Sequence, residues 1–109
     1  MIAVHLSEES TVSDLQVVAT IPAKPEAADA IRAALSALVE QTRQEEGCVS
    51  YDLFESAAAP NTFVTVERWR DQAALDEHMR SPHLAEAFAA ADGALAGDVA
   101  IHPLVPVED

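Results

Sequence analysis

Basic residues are scarce in this 109-residue sequence, which has six Lys and Arg against 19 Asp and Glu and a formal net charge of −13 at pH 7. That much negative charge repels a phosphate backbone, and the six basic residues are scattered along the chain. The composition therefore argues against a nucleic-acid partner. Acidity of this degree favours solubility and by itself points to no ligand.

Cysteine is almost absent, since Cys48 is the single one and cannot form a disulfide within the chain. Long apolar runs are also missing, and none approaches the ~20 residues that a membrane-spanning helix needs. The first six residues lack the basic flank and apolar segment of a secretory signal. With no sign of an oxidising compartment, we expect a cytoplasmic location and no membrane partner.

Half of the residues are hydrophobic, which predicts a globular domain with a buried core. Residues 1–14 are polar around the segment 7–10 and are predicted to be an N-terminal extension, with a short strand at 3–6. The remaining residues, 15–109, are predicted to form one domain.

The first half of that domain is predicted to be strand, helix, strand. Residues 15–21 are rich in β-branched residues and stop at Pro22. A helix begins at Pro25 and ends at Gly47; it has a buried stripe at helical spacing, Ile31, Leu35, Leu38 and Thr42. Residues 48–55 alternate, and this alternation puts Val49, Tyr51 and Leu53 on one face of a strand.

The second half is predicted to be strand, two helices, strand. In the strand 62–69, odd-numbered residues share one face, and Val64 and Val66 point to the other. Asp71 caps a helix over 72–80, and Ser81 caps a second helix that continues through the Ala-rich segment 85–96. Its buried stripe is Leu84, Phe88, Ala91 and Leu95. A last strand covers 99–105, and Pro103 places it at an edge or a bend.

The resulting order, β-α-β-β-α-β, predicts an α+β fold with a ferredoxin-like split β-α-β antiparallel sheet and helices on one face. The other face, which includes Val64 and Val66, would then be exposed and apolar. A homodimer with sheets packed face to face is the simplest way to cover it.

Several residues of this pattern resemble the antibiotic biosynthesis monooxygenase domain, including its quinol-monooxygenase-like members. They are Gly47, Tyr51, Phe63, Glu67, Trp69, Asp71, Ala74, Leu75, His78, Ser81, Pro82 and His83. The resemblance covers about 15–105 and implies a dimeric α+β barrel. Because this family also includes haem-degrading enzymes, isomerases and members without known chemistry, the fold alone does not fix an activity.

The resemblance implies a cavity between helices and sheet that binds a flat quinol, phenol or anthrone and oxidises it with O2 without a cofactor. An electron-rich phenol or enol loses a proton there, and its anion gives an electron to O2. The alternatives are an isomerase of a small oxygenated metabolite and a non-catalytic small-molecule-binding module. The predicted catalytic residues are His83, His78 and Glu67, and the predicted substrate-binding residues are Trp69, Phe63, Tyr51 and Phe88.

His83 is the preferred base, because the positive end of its helix disfavours the imidazolium form. His78 follows Leu75 by three residues and points inward, which favours a structural hydrogen bond. A half-buried Glu67 needs a partner, and an Arg or His is expected. Cys48 has no adjacent base and is predicted to be buried and inert.

No metal site is predicted, because His78 and His83 are five residues apart with no third ligand at the spacing of a zinc site. Haem degradation is disfavoured by the same resemblance. The haem-degrading branch expects an Asn in the first strand, where 15–21 has none, and a His where this chain has Met79.

Overall fold

The computed structural model describes residues 14–107. The strands are β1 (Leu15–Pro22), β2 (Cys48–Glu55), β3 (Thr62–Trp69) and β4 (Ala100–Pro103). The helices are α1 (Ala28–Thr42), α2 (Gln72–Met79) and α3 (Pro82–Ala91), and a short 3-10 turn, Pro25–Ala27, precedes α1. The predicted strand at 3–6 lies outside the described residues, and the predicted domain limits stay a prediction.

The four strands form one antiparallel sheet in the order β2-β3-β1-β4. This confirms the ferredoxin-like α+β arrangement, and Pro103 lies in an edge strand as predicted. The helix-facing side of β3 carries Phe63, Thr65, Glu67 and Trp69, all buried. Across the sheet, Trp69 pairs with Leu15 of β1 and with Cys48 of β2.

Two hydrophobic clusters lie between the helices and the sheet. The larger joins α1 and α3 to β1 and β3 and includes Ala19, Ile21, Ile31, Leu35, Leu38, Phe63 and Leu84. The smaller surrounds Trp69 and includes Val17, Val39, Tyr51, Ala74 and Leu75. The predicted stripe of α1 is confirmed, since Ile31, Leu35, Leu38 and Thr42 are all buried. The caps are confirmed too, because Asp71 and Ser81 accept hydrogen bonds from the backbone N–H groups of Ala74 and Leu84.

Three predicted boundaries are wrong. Helix α1 ends at Thr42, and residues 43–47 form a turn, so Gly47 is not its C-cap. Helix α3 ends at Ala91, because Gly93 takes a left-handed backbone angle (φ 79°). The chain that follows bonds to the end of β1 and the residues after it: Lys24 N donates to Ala94 O, and Ala96 N donates to Pro22 O. Strand β4 covers Ala100–Pro103 and is shorter than the predicted 99–105.

A β-bulge corrects one side-chain assignment. The register of β2 against β3 shifts between Cys48 and Ser50, so Val49 has no partner in the ladder. Tyr51 is buried on the helix-facing side, whereas the side chain of Val49 is 53% exposed.

No described residue covers the outer face of the sheet well. Val66 and Phe54 remain 44% and 53% exposed, and Val64 is partly exposed. The predicted homodimer would bury this face.

Candidate functional site

A pocket lies between the inner face of the sheet and the helices. Its empty volume is about 580 Å3, a figure that includes space open to solvent. Its walls are mainly apolar, and four polar residues reach it: Tyr51, Thr65, Glu67 and His78. Partly exposed side chains that line it, Met79, Phe88 and Ile101, mark where it opens to solvent. An apolar cavity with a few convergent polar groups is the usual form of a small-molecule site.

His78 lies in the last turn of α2 and is 3% exposed. Its ring packs against two aromatic side chains, with its centroid 4.7 Å from that of Trp69 and 5.6 Å from that of Tyr51. Its Nδ1 lies 2.7 Å from Oε2 of Glu45. Packing and hydrogen bonding together therefore hold the imidazole in one orientation.

Glu45 contacts two histidines with one oxygen. The same Oε2 that meets His78 lies 2.6 Å from Nε2 of His83, which sits in the first turn of α3. An ionised carboxylate only accepts, so each imidazole nitrogen facing it carries the proton. In the neutral rings, this leaves Nε2 of His78 and Nδ1 of His83 as the basic nitrogens.

The backbone around Glu45 explains how it reaches His78. Within the turn 43–47, Glu45 N donates to Thr42 O and Cys48 N donates to Glu45 O. Gly47 lies so close to α2 that an added Cβ would be 2.3 Å from the Cβ of Ala74. His78 is one helical turn beyond Ala74, on the same face. The missing side chain of Gly47 therefore lets the turn bring Glu45 to His78.

Ser81 joins the two helices that carry the histidines. Its Oγ donates to the carbonyl of His78 at 2.7 Å and accepts from the N–H of Leu84 at 3.3 Å. One side chain thus ends α2 and caps α3. It fixes the approach of the two imidazoles, whose ring centroids are 6.1 Å apart.

Glu67 is buried and takes its hydrogen bonds from its own strand. Thr65 Oγ1 donates to Oε2 at 2.6 Å, and Trp69 Nε1 donates to Oε1 at 2.9 Å. The expected Arg or His partner is therefore not what holds it. Because residues two apart in a strand share a face, Thr65 and Trp69 are placed to satisfy the carboxylate.

Tyr51 and Cys48 keep their protons at neutral pH. Burial, reinforced by the negative charge of Glu67, raises the pKa of the Tyr51 hydroxyl far above its usual value. Burial and the negative charge of Glu45 raise the pKa of the Cys48 thiol to about 11. Tyr51 is therefore a hydrogen-bond donor in the pocket, and Cys48 is a poor nucleophile.

The predicted site residues divide into two groups. Tyr51, Glu67, His78 and Phe88 line the pocket. Phe63, Trp69 and His83 lie outside its lining: Phe63 is in the larger cluster, Trp69 packs behind His78, and His83 contacts Glu45 from the side.

Glu45 was absent from the sequence predictions. It lies 33 residues from His78, and nothing in the sequence separates it from its exposed neighbour Glu46. The only usable signal was indirect, because an inward-pointing histidine requires an acceptor. Glu45 also supplies the third potential metal ligand that the sequence spacing did not offer, since one ligand atom from each of Glu45, His78 and His83 lies within 4.8 Å of the others.

The fold and the pocket define a class, that of ferredoxin-like α+β domains with a small-molecule cavity between sheet and helices. Within residues 14–107, no helix is long and apolar enough to cross a membrane.

The chain belongs to the antibiotic biosynthesis monooxygenase family, whose model matches residues 15–90. It is 41% identical over 97 residues to "Putative monooxygenase Rv0793" of Mycobacterium tuberculosis, covering 89% of this chain and 95% of that protein. It is 42% identical over 65 residues to "Putative monooxygenase YcnE" of Bacillus subtilis, covering 60% and 68%.

Solved structures show the same fold. The structure of the Mycobacterium tuberculosis protein has a TM-score of 0.80 over 89% of this chain and 98% of its own. A crystal structure described as an antibiotic biosynthesis monooxygenase, 36% identical, also has a TM-score of 0.80 and covers 86% and 99%. Family and relatives together support a monooxygenase-like function.

Proposed function

We propose that this protein is a cofactor-independent monooxygenase that oxidises a quinol, phenol or anthrone-like molecule with O2. One observation carries the proposal: a buried histidine, His78, lines an apolar pocket while a carboxylate holds its other face. A general base held by a carboxylate in a mainly apolar pocket is suited to removing a proton from a weakly acidic aromatic substrate.

His78 is the proposed base. Its Nδ1 is committed to Glu45, so Nε2 is the nitrogen free to accept a proton. Among the described residues, Nε2 of His78 has no hydrogen-bond partner. The one side-chain polar atom there that is both fully buried and without a partner is Thr42 Oγ1. Nε2 is therefore not fully buried, and we take its accessible surface to face the pocket. The carboxylate of Glu45 would stabilise the imidazolium that forms.

Tyr51 is proposed to bind the substrate oxygen. Since its hydroxyl keeps its proton, it can donate a hydrogen bond to the oxyanion produced by deprotonation. The anion then gives an electron to O2, one oxygen atom enters the product and the other leaves as water. All the electrons come from the substrate, so the scheme needs no external reductant.

His83 is assigned a supporting role in this proposal. It was the base preferred from the sequence, but it is not in the pocket lining, and it meets the site through Glu45. We propose that it holds the carboxylate in place. Phe88 at the opening and Glu67 at the pocket wall would then contact the ring of the substrate or its polar substituents.

The test is O2 consumption with a panel of quinols, phenols and anthrones, using protein treated with a chelator. We expect consumption with at least one member, and loss of it in His78→Gln. The matched control is His102→Gln, because His102 is an exposed histidine outside the pocket lining. Melting temperatures show that each variant is folded.

Two results would contradict the proposal. Unchanged turnover in a folded His78→Gln variant would reject the assignment of His78 as the base. An absence of O2 consumption across the panel would reject the monooxygenase chemistry. In that case, a panel member that raises the melting temperature would indicate a binding module, and rearrangement without O2 uptake an isomerase.

A further inference from the structure

Glu45, His78 and His83 converge on one point from three separate elements: the turn 43–47, α2 and α3. We propose that these residues form a binding site for one divalent transition-metal ion of the zinc class, and that metal bound there blocks His78 as a base. Binding itself is independent of the proposed function, whereas the inhibition rests on it.

The ligand chemistry favours zinc over hard cations. Two imidazole nitrogens and one carboxylate oxygen are a known donor set for Zn2+ and for other first-row divalent metals, and they leave at least one coordination position for water. Mg2+ prefers oxygen ligands in octahedral geometry, and only one carboxylate oxygen is supplied here. The donor set therefore predicts selectivity for Zn2+ or Co2+ over Mg2+.

The two carboxylate–imidazole distances are shorter than the spacing between ligand atoms in a metal site. Oε2 of Glu45 lies 2.7 Å from Nδ1 of His78 and 2.6 Å from Nε2 of His83. Ligand atoms about 2.0–2.2 Å from a tetrahedral metal are roughly 3.3 Å apart, so each pair must open by about 0.6 Å. Rotation of the Glu45 side chain can supply that movement.

An ion can reach this point from solvent. The side chains of Glu45 and His83 are 16% and 17% exposed, whereas His78 is 3% exposed and forms the inner wall. The net charge of −13 also attracts cations to the protein. The exposure of the site, the charge of the protein and the ligand types thus all favour binding of a metal cation.

A metal on His78 would change its protonation. Coordination at Nδ1 requires that nitrogen to lose its proton, so the neutral ring keeps its proton on Nε2 instead. The nitrogen proposed to accept the substrate proton is then already occupied. We therefore expect Zn2+ to inhibit O2 consumption, and a chelator to restore it.

The experiment measures Zn2+ and Co2+ binding by titration calorimetry on the chelator-treated protein, with Co2+ absorption as a second readout. One equivalent should bind. The substitutions Glu45→Gln and His83→Gln should each weaken binding by at least ~10–100-fold, because loss of a ligand costs no less than loss of a residue that supports one. Glu46→Gln and His102→Gln are the matched controls and should bind like the unmodified protein.

The site would be overturned if the protein does not bind one equivalent of Zn2+. It would also be overturned if Glu45→Gln and His83→Gln fold and leave Zn2+ binding unchanged. Mg2+ binding equal to that of Zn2+ would also contradict it. If the proposed monooxygenase activity is absent, calorimetry and Co2+ absorption still decide the site. Zn2+ binding without inhibition of an active enzyme would reject only the block of His78.

Discussion

His78 illustrates how contacts on three sides can specialise one side chain. Glu45 accepts a hydrogen bond from Nδ1, which leaves Nε2 as the only basic nitrogen of the neutral ring. Trp69 and Tyr51 pack against the ring and hold its orientation. A histidine alone in an apolar core would lose a hydrogen bond without gaining a function. Here the hydrogen bond to Glu45 satisfies one nitrogen and leaves the other for the pocket.

Glu45→Gln should lower kcat and leave KM nearly unchanged, because the amide occupies the same space but cannot stabilise an imidazolium. We expect a decrease of about 10–100-fold, smaller than the ~10²–10⁴-fold decrease for His78→Gln, which removes the base itself. Steady-state O2 consumption measures both parameters. Glu46→Gln is the control, and an equal decrease in that variant would contradict a specific role for Glu45.

Cys48 should react slowly with alkylating reagents until the pH approaches 11. Burial is the main reason that its pKa is raised from 9.0 to about 11, so below pH 9 its alkylation should be about 100-fold slower than that of a thiol with the lower pKa. Because the folded state holds the proton more tightly, its contribution to stability is present below pH 9 and is lost as the pH rises through 11. Alkylation rates at several pH values measure this, with denatured protein as the control. A rate that stops rising near pH 9 would contradict it.

Single-residue reasoning from the sequence predicted the direction of several side chains and missed Glu45. Helical spacing from Leu75 correctly turned His78 inward, and strand alternation correctly put Glu67 and Trp69 on one face. The acceptor for His78 could not be deduced, because Glu45 comes from a turn 33 residues earlier in the chain. Local periodicity gives the direction of a side chain but not its long-range partner.

Among the elements, the turn 43–47 matters most for the site, because it sets the position of Glu45. It packs closely against α2 where Gly47 meets Ala74, and Arg70 N, just after β3, donates a 2.8 Å hydrogen bond to Gly47 O. Gly47 resembles a helix terminator in sequence. Its requirement in the structure is the absence of a side chain, since its φ is not left-handed.

Gly47→Ala should therefore destabilise the protein by about 1–3 kcal/mol, as overpacking typically does. It should also weaken the Glu45–His78 hydrogen bond and reduce turnover. Chemical denaturation and O2 consumption measure the two effects. Gly97→Ala is the control, because a Cβ there would meet only Pro22 Cγ at 3.4 Å. Equal stability of the two variants would contradict the packing argument.

Sequence patterns predicted the cores of the elements better than their ends. Strands β2 and β3 have the predicted limits because their alternation is bounded by Gly, Pro and Asn residues. The end of α3 was misplaced because the alanines on both sides of Asp92 and Gly93 were read as one helix, although a glycine at this place is a common helix terminator. Tertiary hydrogen bonds to the segment after β1 decide that boundary.

At the scale of the whole molecule, the two faces of the sheet differ. The inner face is covered by helices and carries the pocket, and the outer face presents Phe54, Val64 and Val66 among polar residues. Arg43 and Asp52 form an exposed ion pair of 2.9 Å in the same region. An apolar patch with a polar rim is typical of a protein interface.

The chain should form a homodimer through this outer face. Burying several hundred Å2 of apolar surface per subunit at ~25 cal/mol per Å2 is a large effect relative to the stability of a small domain. Val66→Asp places a charge at the centre of the proposed interface, where burial without a partner is costly. Ala37→Asp puts the same charge on the exposed side of α1 and serves as the control.

Light scattering at micromolar concentration should give twice the monomer mass of 11.6 kDa for the unmodified protein and for Ala37→Asp. For Val66→Asp it should give the monomer mass. A monomer mass for the unmodified protein would contradict the dimer, and an unchanged dimer in Val66→Asp would place the interface elsewhere. Because the pocket opens on the helix side of the sheet, a monomeric variant that stays folded should still bind zinc at Glu45, His78 and His83.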